Sequence, residues 1–454
     1  MSTLDRTKAP ASGPLRHFRF PDVERRPLPN GLDLRVARLP RLPVVSVNLF
    51  LRAGEGALSS EGAGLAVLTG DALEGGTERR SGSDLADALE RIGARLDVGA
   101  GWEGTSVTLS CLADRLPDAL PLLAETVLQP SFPEEEVQRT REQHLAAIRQ
   151  RAMDPSGLAN DAAAARWYAP DVPYARPVDG TAASVSAAGR DDMRGYAEAC
   201  YRPREGGLIV AGDVDPTEVE QLALDHLGSW TGSPAPRPDF ETEPLTRERR
   251  IWIVDRPGSV QSEIRVGHVG AARSTDDYFA LSIANMVLGG TFTSRLNLNL
   301  RERNGFTYGV RSRFTFRSRP GPFHVSTAVG NEVTAAAVRE ILAELEAFAG
   351  EGPTSDEVAA ARDFAAGTFG LQLETAGQVA TRVTQLVVYG LPERYYHDYR
   401  ENMRSVDVQA AAAAARRHVR PQEVQIVLVA DADVVRPSLE ALGVGPVEVT
   451  APAG

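Results

Sequence analysis

Apolar and polar positions along the chain predict the same succession of strands and helices twice. Apolar runs at residues 207–212 and 424–430, the second interrupted only by Gln425, predict two buried strands. Each run follows a helix-like segment that ends in Arg-Pro, and each precedes an Asp-x-Asp sequence, which is a helix N-cap signal. The two Arg-Pro pairs begin at Arg202 and Arg420. The spacing indicates a repeat that takes up about half of the chain.

Further segments recur in the same order. Strand-like openings in both halves lead to a helix that ends in Gly-Gly-Thr, and period-two alternation predicts a later strand in each half. The corresponding segments are 44–51 with 263–269, 64–77 with 279–291, 104–111 with 322–328, and 116–128 with 335–348. This repeat predicts an α+β fold built from two tandem homologous domains.

A polar, Pro-rich segment that begins at Thr231 separates the two copies and is typical of a linker. We therefore predict four parts of the chain. They are a flexible N-terminal extension at 1–19, a first α+β domain at 20–230, a linker at 231–245 and a second α+β domain at 246–454.

Composition narrows the functional classes. The chain has 454 residues, a net charge of −12 and a pI of about 5.3, which argues against nucleic acid or an anionic membrane as partner. Cys111 and Cys200 are the two cysteines and are predicted to be buried free thiols. No secretory signal and no apolar run of about 20 residues are evident. The expected localisation is cytoplasmic, without a membrane partner.

Several motifs resemble one metallopeptidase family across residues 20–449. They are the frame of Gly64–Thr77, the start Leu28-Pro-Asn-Gly-Leu32, the sequence Met153-Asp-Pro155, the Arg-Pro…Gly-Asp pattern that closes the first half, and Leu288-Gly-Gly…Arg301…Tyr308 in the second half. In this order they resemble the pitrilysin and mitochondrial-processing-peptidase (inverzincin) family. The resemblance implies two tandem domains of the processing-peptidase fold in a clamp-like arrangement.

The residues that hold zinc in that family are replaced here. Its motif H-x-x-E-H falls on Val67, Gly70 and Asp71, and its third ligand, a glutamate on a later helix, falls on Ala147. The resemblance therefore implies a degenerate motif with no metal ligand set and no general base. The seven histidines contain no short-spaced ligand pair and are expected to be surface or hydrogen-bonded core residues.

The second half keeps a possible catalytic pair, Arg301 and Tyr308. Gly305 is a natural helix C-cap, so Arg301 should lie at a helix end and Tyr308 at the start of a strand over residues 307–317. The resemblance implies that Tyr308 donates a hydrogen bond to the oxyanion and that Arg301 holds a substrate carbonyl. Alternatively, Arg301 lies on a solvated helix face and Tyr308 is a half-buried strand residue.

Four neighbouring residues are candidates for substrate binding: Gly289, Gly290, Ser294 and Arg295. They either line the substrate cavity or close one helix and start the next. In the family, peptides are expected to add as a strand to a sheet edge. The equivalent stretch of this chain is Leu49–Gly56, which is expected to be an edge with a structural role.

The leading hypothesis is a zinc-less subunit of a heterodimeric zinc endopeptidase that processes unstructured peptides. A homologous partner with H-x-x-E-H would carry the zinc, and this chain, inactive by itself, would supply Arg301 and Tyr308. The alternative is a structural core-type subunit of a larger complex, without a role in catalysis. A different enzyme class has no support, since the chain contains no G-x-S-x-G, P-loop or dinucleotide-binding fingerprint.

Overall fold

A computed structural model describes residues 13, 17–235 and 239–451. The predicted extension at 1–19 lies outside the described residues except for 13 and 17–19. Residues 236–238 of the predicted linker also lie outside them. The described linker residues form no helix or strand before Arg250.

Among the described residues, the first half contains six strands and eight α-helices. In chain order they are β1 (Val23–Pro27), β2 (Asp33–Arg38), β3 (Val44–Leu51), α1 (Leu65–Ala72), α2 (Gly82–Arg91), β4 (Arg95–Ala100), β5 (Thr105–Leu112), α3 (Leu116–Leu128), α4 (Glu134–Met153), α5 (Pro155–Trp167), α6 (Ala182–Ala187), α7 (Arg190–Cys200), β6 (Gly207–Gly212) and α8 (Pro216–Leu227).

The described part of the second half also contains six strands and eight α-helices. They are β7 (Arg250–Asp255), β8 (Gln261–Val269), α9 (Tyr278–Asn285), α10 (Arg295–Asn297), β9 (Val310–Phe314), β10 (Pro322–Gly330), α11 (Thr334–Glu351), α12 (Ser355–Phe369), α13 (Ala376–Tyr389), α14 (Tyr399–Ser405), α15 (Val408–His418), β11 (Gln425–Ala430), α16 (Ala432–Ala441) and β12 (Val447–Thr450). Two π-helical segments, Met286–Gly290 and Leu298–Arg303, continue α9 and α10.

The strand order confirms the predicted duplication. The sheets run β1-β2-β6-β3-β5-β4 and β12-β7-β11-β8-β10-β9. The second pair in each order is parallel (β2 with β6, β7 with β11), and the three pairs that follow are antiparallel in both sheets. The sheets differ in the sixth strand, because β1 is antiparallel to β2 whereas β12 is parallel to β7. The α+β fold of two tandem domains is thereby confirmed.

One expectation about the first sheet is wrong. The Leu49–Gly56 stretch was expected to form a sheet edge, but Leu49 lies in β3, where it pairs with Val107 on one side and Leu208 on the other. A strand that is hydrogen-bonded on both sides has no free backbone groups to offer to a peptide. The edge strand at this end of the first sheet is β4.

One helix of each half packs against the sheet of the other half. Leu208 and Val210 of β6 pack into the core of their own half, while Ile209 and Ala211 on the opposite face pack against α13. In the second half, α5 covers the corresponding face of β11 and β8. Because both faces of these strands are covered, β6 and residues 426–430 of β11 read as unbroken apolar runs.

Polar bonds fix the two exchanged helices to their sheets. Asn48 Nδ2 on β3 donates to Thr384 Oγ1 on α13 at 3.0 Å. Arg265 Nε on β8 donates to Asn160 Oδ1 on α5 at 2.7 Å. Both donors are buried side chains, so these bonds satisfy groups that would be costly to leave unpaired.

Two smaller observations complete the fold. Cys111 and Cys200 are buried free thiols, as the sequence predicts. In the described ranges, 13, 17–235 and 239–451, none of the helices combines the length and the apolar character that a membrane span requires.

Candidate functional site

A buried carboxylate holds the start of α1, the helix that carries the degenerate metal motif. Glu55 accepts hydrogen bonds from the backbone N–H groups of Gly64 at 3.0 Å and Ala66 at 2.8 Å. Arg176 Nη2 lies 3.7 Å from Glu55 Oε2. Burial raises the pKa of Glu55, against the effect of these hydrogen bonds. Both carboxylate oxygens of Glu55 therefore have partners within the chain.

The positions equivalent to the metal ligands lie where α1 meets α4. We call this region the α1–α4 corner: Val67, Gly70, Asp71, His144 and Ala147. Asp71 Oδ2 lies 3.5 Å from His144 Nδ1, and His144 Nε2 lies 2.9 Å from the carbonyl oxygen of Asp179. The hydrogen bond with Asp71 is the main cause of the raised pKa of His144. A side-chain pair thus joins the two helices that zinc would otherwise connect.

The α1–α4 corner does not fit a zinc ion. Val67, Gly70 and Ala147 carry no ligating atom, and His144 and Asp71 are bonded to each other. Tetrahedral zinc sites need three or four Cys, His or carboxylate ligands. No cluster of three such side chains exists in the part of the chain that the structure describes. The degenerate motif retains only the packing of α1, whose Gly70 lies against β4 at Val98.

The paired glycines of the second half serve close packing. A Cβ atom on Gly289 would lie 2.6 Å from the backbone nitrogen of Ser312 on β9, and one on Gly290 would lie 3.0 Å from Asn285 Nδ2. The π-helical segment therefore lies directly on the edge strand. There, Asn285 Nδ2 donates to Ser312 O at 3.1 Å. Close packing against β9 therefore explains the glycine at position 289 without any ligand.

Asparagine side chains also close the free edge of β9. Asn297 Nδ2 donates to Val310 O at 2.8 Å, and Asn297 Oδ1 accepts from Val310 N at 3.2 Å. This carboxamide makes the two bonds that a neighbouring strand would make. The edge of β9 at Val310 is therefore not free for strand addition.

Ser294 and Arg295 point into packing contacts. Ser294 is buried, and its Oγ accepts from Asn297 Nδ2 at 3.1 Å. Arg295 forms a two-pronged ion pair with Glu357 on α12, with Nε–Oε1 and Nη2–Oε2 distances of 2.7 Å. This pair lowers the pKa of Glu357 to about 2. Arg295 anchors α10 to α12.

Arg301 and Tyr308 lie on either side of a turn. The N–H of Gly305 donates to Arg301 O at 3.2 Å, and the φ of Gly305 is +66°, a left-handed value that suits glycine at a helix end. The predicted C-cap at Gly305 is therefore confirmed. The predicted strand over 307–317 is too long, because β9 begins at Val310. Thr307 Oγ1 bonds the N–H and the carbonyl of Gly309 and so turns the chain before the strand.

Of these two side chains, Tyr308 is presented outward and Arg301 is half-buried. We call Phe292, Arg301 and Tyr308 the Arg–Tyr corner. Tyr308 is 98% exposed, and its hydroxyl has no hydrogen-bond partner among the described residues. The guanidinium of Arg301 lies over the ring of Phe292 at 4.2 Å. Its Nη1 lies 3.2 Å from Glu302 Oε1 without hydrogen-bond geometry, so a buried donor remains unused.

The predicted site residues separate into two groups. Arg301 and Tyr308 flank one turn, and Gly290 lines a cavity together with Phe292. Ser294 and Arg295 are held in packing contacts. Sequence reasoning missed Phe292, although an aromatic residue inside the polar run Gly-Gly-Thr-Phe-Thr was a detectable signal. It also missed the bond between His144 and Asp71.

The duplicated fold and the α1–α4 corner define a metallopeptidase-like protein whose metal-binding positions hold other residues. Residues 36–170 match the model of the insulinase family, peptidase family M16, and residues 187–364 match the model of the peptidase M16 inactive domain. The two matches span most of the chain. The chain belongs to peptidase family M16.

Individual relatives agree with this assignment. An uncharacterized zinc protease of Mycobacterium tuberculosis is 29% identical over 392 residues, which cover 86% of this chain and 89% of the relative. A non-peptidase homologue from Helicobacter pylori is 26% identical and covers 77% of this chain and 81% of its own length.

A solved structure shows the same similarity. The crystal structure of a peptidase M16 inactive domain from Pseudomonas fluorescens superposes with a TM-score of 0.85 at 25% identity. The match covers 90% of this chain and 98% of that one. The likeness to inactive M16 domains indicates a non-catalytic M16 subunit.

Proposed function

We propose that this chain is the zinc-less subunit of a heterodimeric M16 endopeptidase that cleaves unstructured peptides. Its Arg301 and Tyr308 act at the zinc site of a homologous partner that carries H-x-x-E-H. Tyr308 donates a hydrogen bond to the oxyanion of the tetrahedral intermediate, and Arg301 binds a substrate carbonyl. The observation that carries the proposal is the exposed, unpartnered hydroxyl of Tyr308.

Physical chemistry supports the need for a partner chain. A hydrogen-bond donor stabilises an oxyanion strongly only where water is excluded. Tyr308 is 98% exposed in the single chain, so water competes for its hydroxyl there. A partner that closes over the Arg–Tyr corner would remove this water. Arginine suits the second task because its planar, always charged fork holds carbonyl oxygens in a fixed geometry.

The test is co-expression with an M16 chain from the same genome that carries H-x-x-E-H. We expect the purified pair to contain one zinc per heterodimer and to cleave an unstructured peptide, while this chain alone binds no stoichiometric zinc and cleaves nothing. Tyr308→Phe should lower the turnover of the pair about a hundredfold or more, the scale of one lost oxyanion donor.

Assembly and zinc content serve as controls, because Tyr308→Phe removes only one exposed oxygen atom. Size-exclusion chromatography and metal analysis should give the same heterodimer for both variants. A Tyr308→Phe pair with full activity would remove the proposed role and favour the scaffold alternative. Stoichiometric zinc in the isolated chain would contradict the interpretation of the α1–α4 corner.

A further inference from the structure

We propose that a cavity next to the Arg–Tyr corner receives a bulky apolar side chain of the bound peptide. This inference rests on the proposed function, because it assigns part of the substrate held by Arg301 and Tyr308. The cavity has a volume of about 600 Å³. Its apolar walls come from the π-helical segment, the following loop and α12: Met286, Val287, Phe292, Ala360, Ala361 and Phe364.

The sequence of α12 leaves room for this cavity. Ala360 and Ala361 are small residues, and Phe364 follows one helical turn later, so the three side chains lie on neighbouring positions of the same helix face. Phe292, from the loop after the π-helical segment, also lines the cavity. Two large aromatic rings and two methyl groups in the lining give the space an apolar character.

The charged group that lines the cavity is already neutralised. Glu357 is bound by Arg295 through two bonds of 2.7 Å and by the N–H of Thr354 at 2.7 Å. The hydroxyl of Thr291 donates to Met286 O at 3.1 Å. Since these polar groups have partners within the chain, a charged or polar ligand would gain little here. The cavity favours an aromatic or long aliphatic side chain.

Two of the three exposed aromatic residues in the described part of the chain, Phe292 and Phe364, line the cavity. In the described residues, the exposed aromatic side chains are Phe292 at 66%, Tyr308 at 98% and Phe364 at 53%. Large exposed apolar side chains that cluster together indicate a binding surface. The ring of Phe292 supports the guanidinium of Arg301 and also forms a wall of the cavity. The cavity is therefore continuous with the Arg–Tyr corner, and the occupant it fits is a side chain of the same peptide.

The test measures the binding of two fluorescent peptides to the full-length chain by anisotropy. Both probes are short, unstructured Gly/Ser peptides with one central position that is phenylalanine in the first and alanine in the second. We expect the phenylalanine peptide to bind about tenfold tighter or more, the scale of burying one large apolar side chain. Ala360→Trp, which fills the cavity, should abolish this preference.

Matched variants separate the cavity from the Arg–Tyr corner. Ala413→Trp places the same ring at an exposed position of α15 and should keep the preference. Phe364→Ser removes a wall without filling the space and should weaken the preference. Arg301→Gln should weaken the binding of both peptides and leave their affinity ratio unchanged.

Three results would overturn the inference: equal affinity for both peptides, no binding of either peptide, or a preference that survives Ala360→Trp. None of them affects the proposed function, which is decided by the turnover of the Tyr308→Phe pair. Conversely, full activity of that pair would remove the proposed function, whereas the affinity ratio of the two peptides would still report on the cavity.

Discussion

In each half, one corner includes or adjoins a helix that ends in Gly-Gly-Thr: the α1–α4 corner in the first half and the Arg–Tyr corner in the second. The two corners differ in whether their polar side chains have partners within the chain. In the first half, Glu55, Asp71 and His144 all find partners within the chain. In the second half, Tyr308 has no partner among the described residues, and a buried nitrogen of Arg301 lacks a hydrogen bond. The polar groups of the first corner bind one another, whereas the second corner keeps two polar groups without hydrogen-bond partners among the described residues.

The largest expected effect lies in the Arg–Tyr corner. Arg301→Gln should lower kcat/KM of the heterodimer a hundredfold to a thousandfold, about 2.7–4 kcal/mol, because the charged group that binds the substrate carbonyl is lost. Arg303→Gln, two residues along the same π-helical segment and exposed, is the control and should change it little. Equal losses for both variants would show that general basic charge, not the position of Arg301, matters.

For the α1–α4 corner, we predict an effect on the stability of the fold rather than on activity. Glu55→Ala should lower the free energy of unfolding by about 3 kcal/mol. The substitution leaves Arg176 without its carboxylate partner. It also removes the acceptor of the N–H groups at the start of α1, which water does not reach. Urea unfolding measures this loss. Glu61→Ala, at an exposed position nearby, should stay within about 0.5 kcal/mol. A neutral Glu55→Ala would contradict the structural role of this carboxylate.

An acid titration tests the ion pair between Arg295 and Glu357, which anchors α10 to α12. The pKa of Glu357 is about 2, below its ordinary value of 4.5, so its stabilising effect is complete above about pH 4.5 and is lost as the pH falls toward 2. We expect a loss of about 1–2 kcal/mol over this interval, reduced by partial solvent exposure. Arg295→Gln should flatten this part of the stability profile. Arg436→Gln, in an exposed ion pair with Glu440, should leave it unchanged.

The smallest effect is expected for the pair that replaces the metal. The pKa of His144 is raised, chiefly by Asp71, so the pair stabilises the fold below about pH 6.5 and loses this contribution as the pH rises through the raised pKa. The other groups that face His144 are the carbonyl of Asp179 and the Asp179 carboxylate, which is paired with Arg151.

Asp71→Asn should therefore cost about 1 kcal/mol or less at low pH and almost nothing at high pH. Asp87→Asn at an exposed position of α2 is the control, and thermal unfolding at several pH values is the measurement. A loss that grows with rising pH would contradict this assignment.

Much of the fold could be read from local sequence patterns. β3 and α3 begin and end where the hydrophobic pattern places them, at Val44–Leu51 and Leu116–Leu128. The turn at Gly305 was predicted because glycine adopts positive φ easily. The late start of the strand at Val310 was missed, because Thr307 and Gly309 form a local turn that periodicity does not report.

Long-range relationships were less accessible. The apolar run of β6 shows that both faces are covered, but it does not tell which helix covers the outer face. The expected edge at Leu49–Gly56 failed for the same reason, since strand order depends on distant partners. In the candidate site, Arg301 and Tyr308 were found from their spacing along the chain. Phe364 lies far from them in sequence, and only the packing of α12 brings it to the same cavity. The roles of Arg301 and Tyr308 stay predictions.

The exchange of α5 and α13 has a consequence for how the gene can be divided. Expressed without its neighbour, each half would leave an apolar sheet face uncovered, with Ile209 bare in one fragment and Val427 in the other. Such fragments should aggregate when made separately and recover solubility when made together. One covalent chain avoids this by delivering both halves in equal amounts at the same moment.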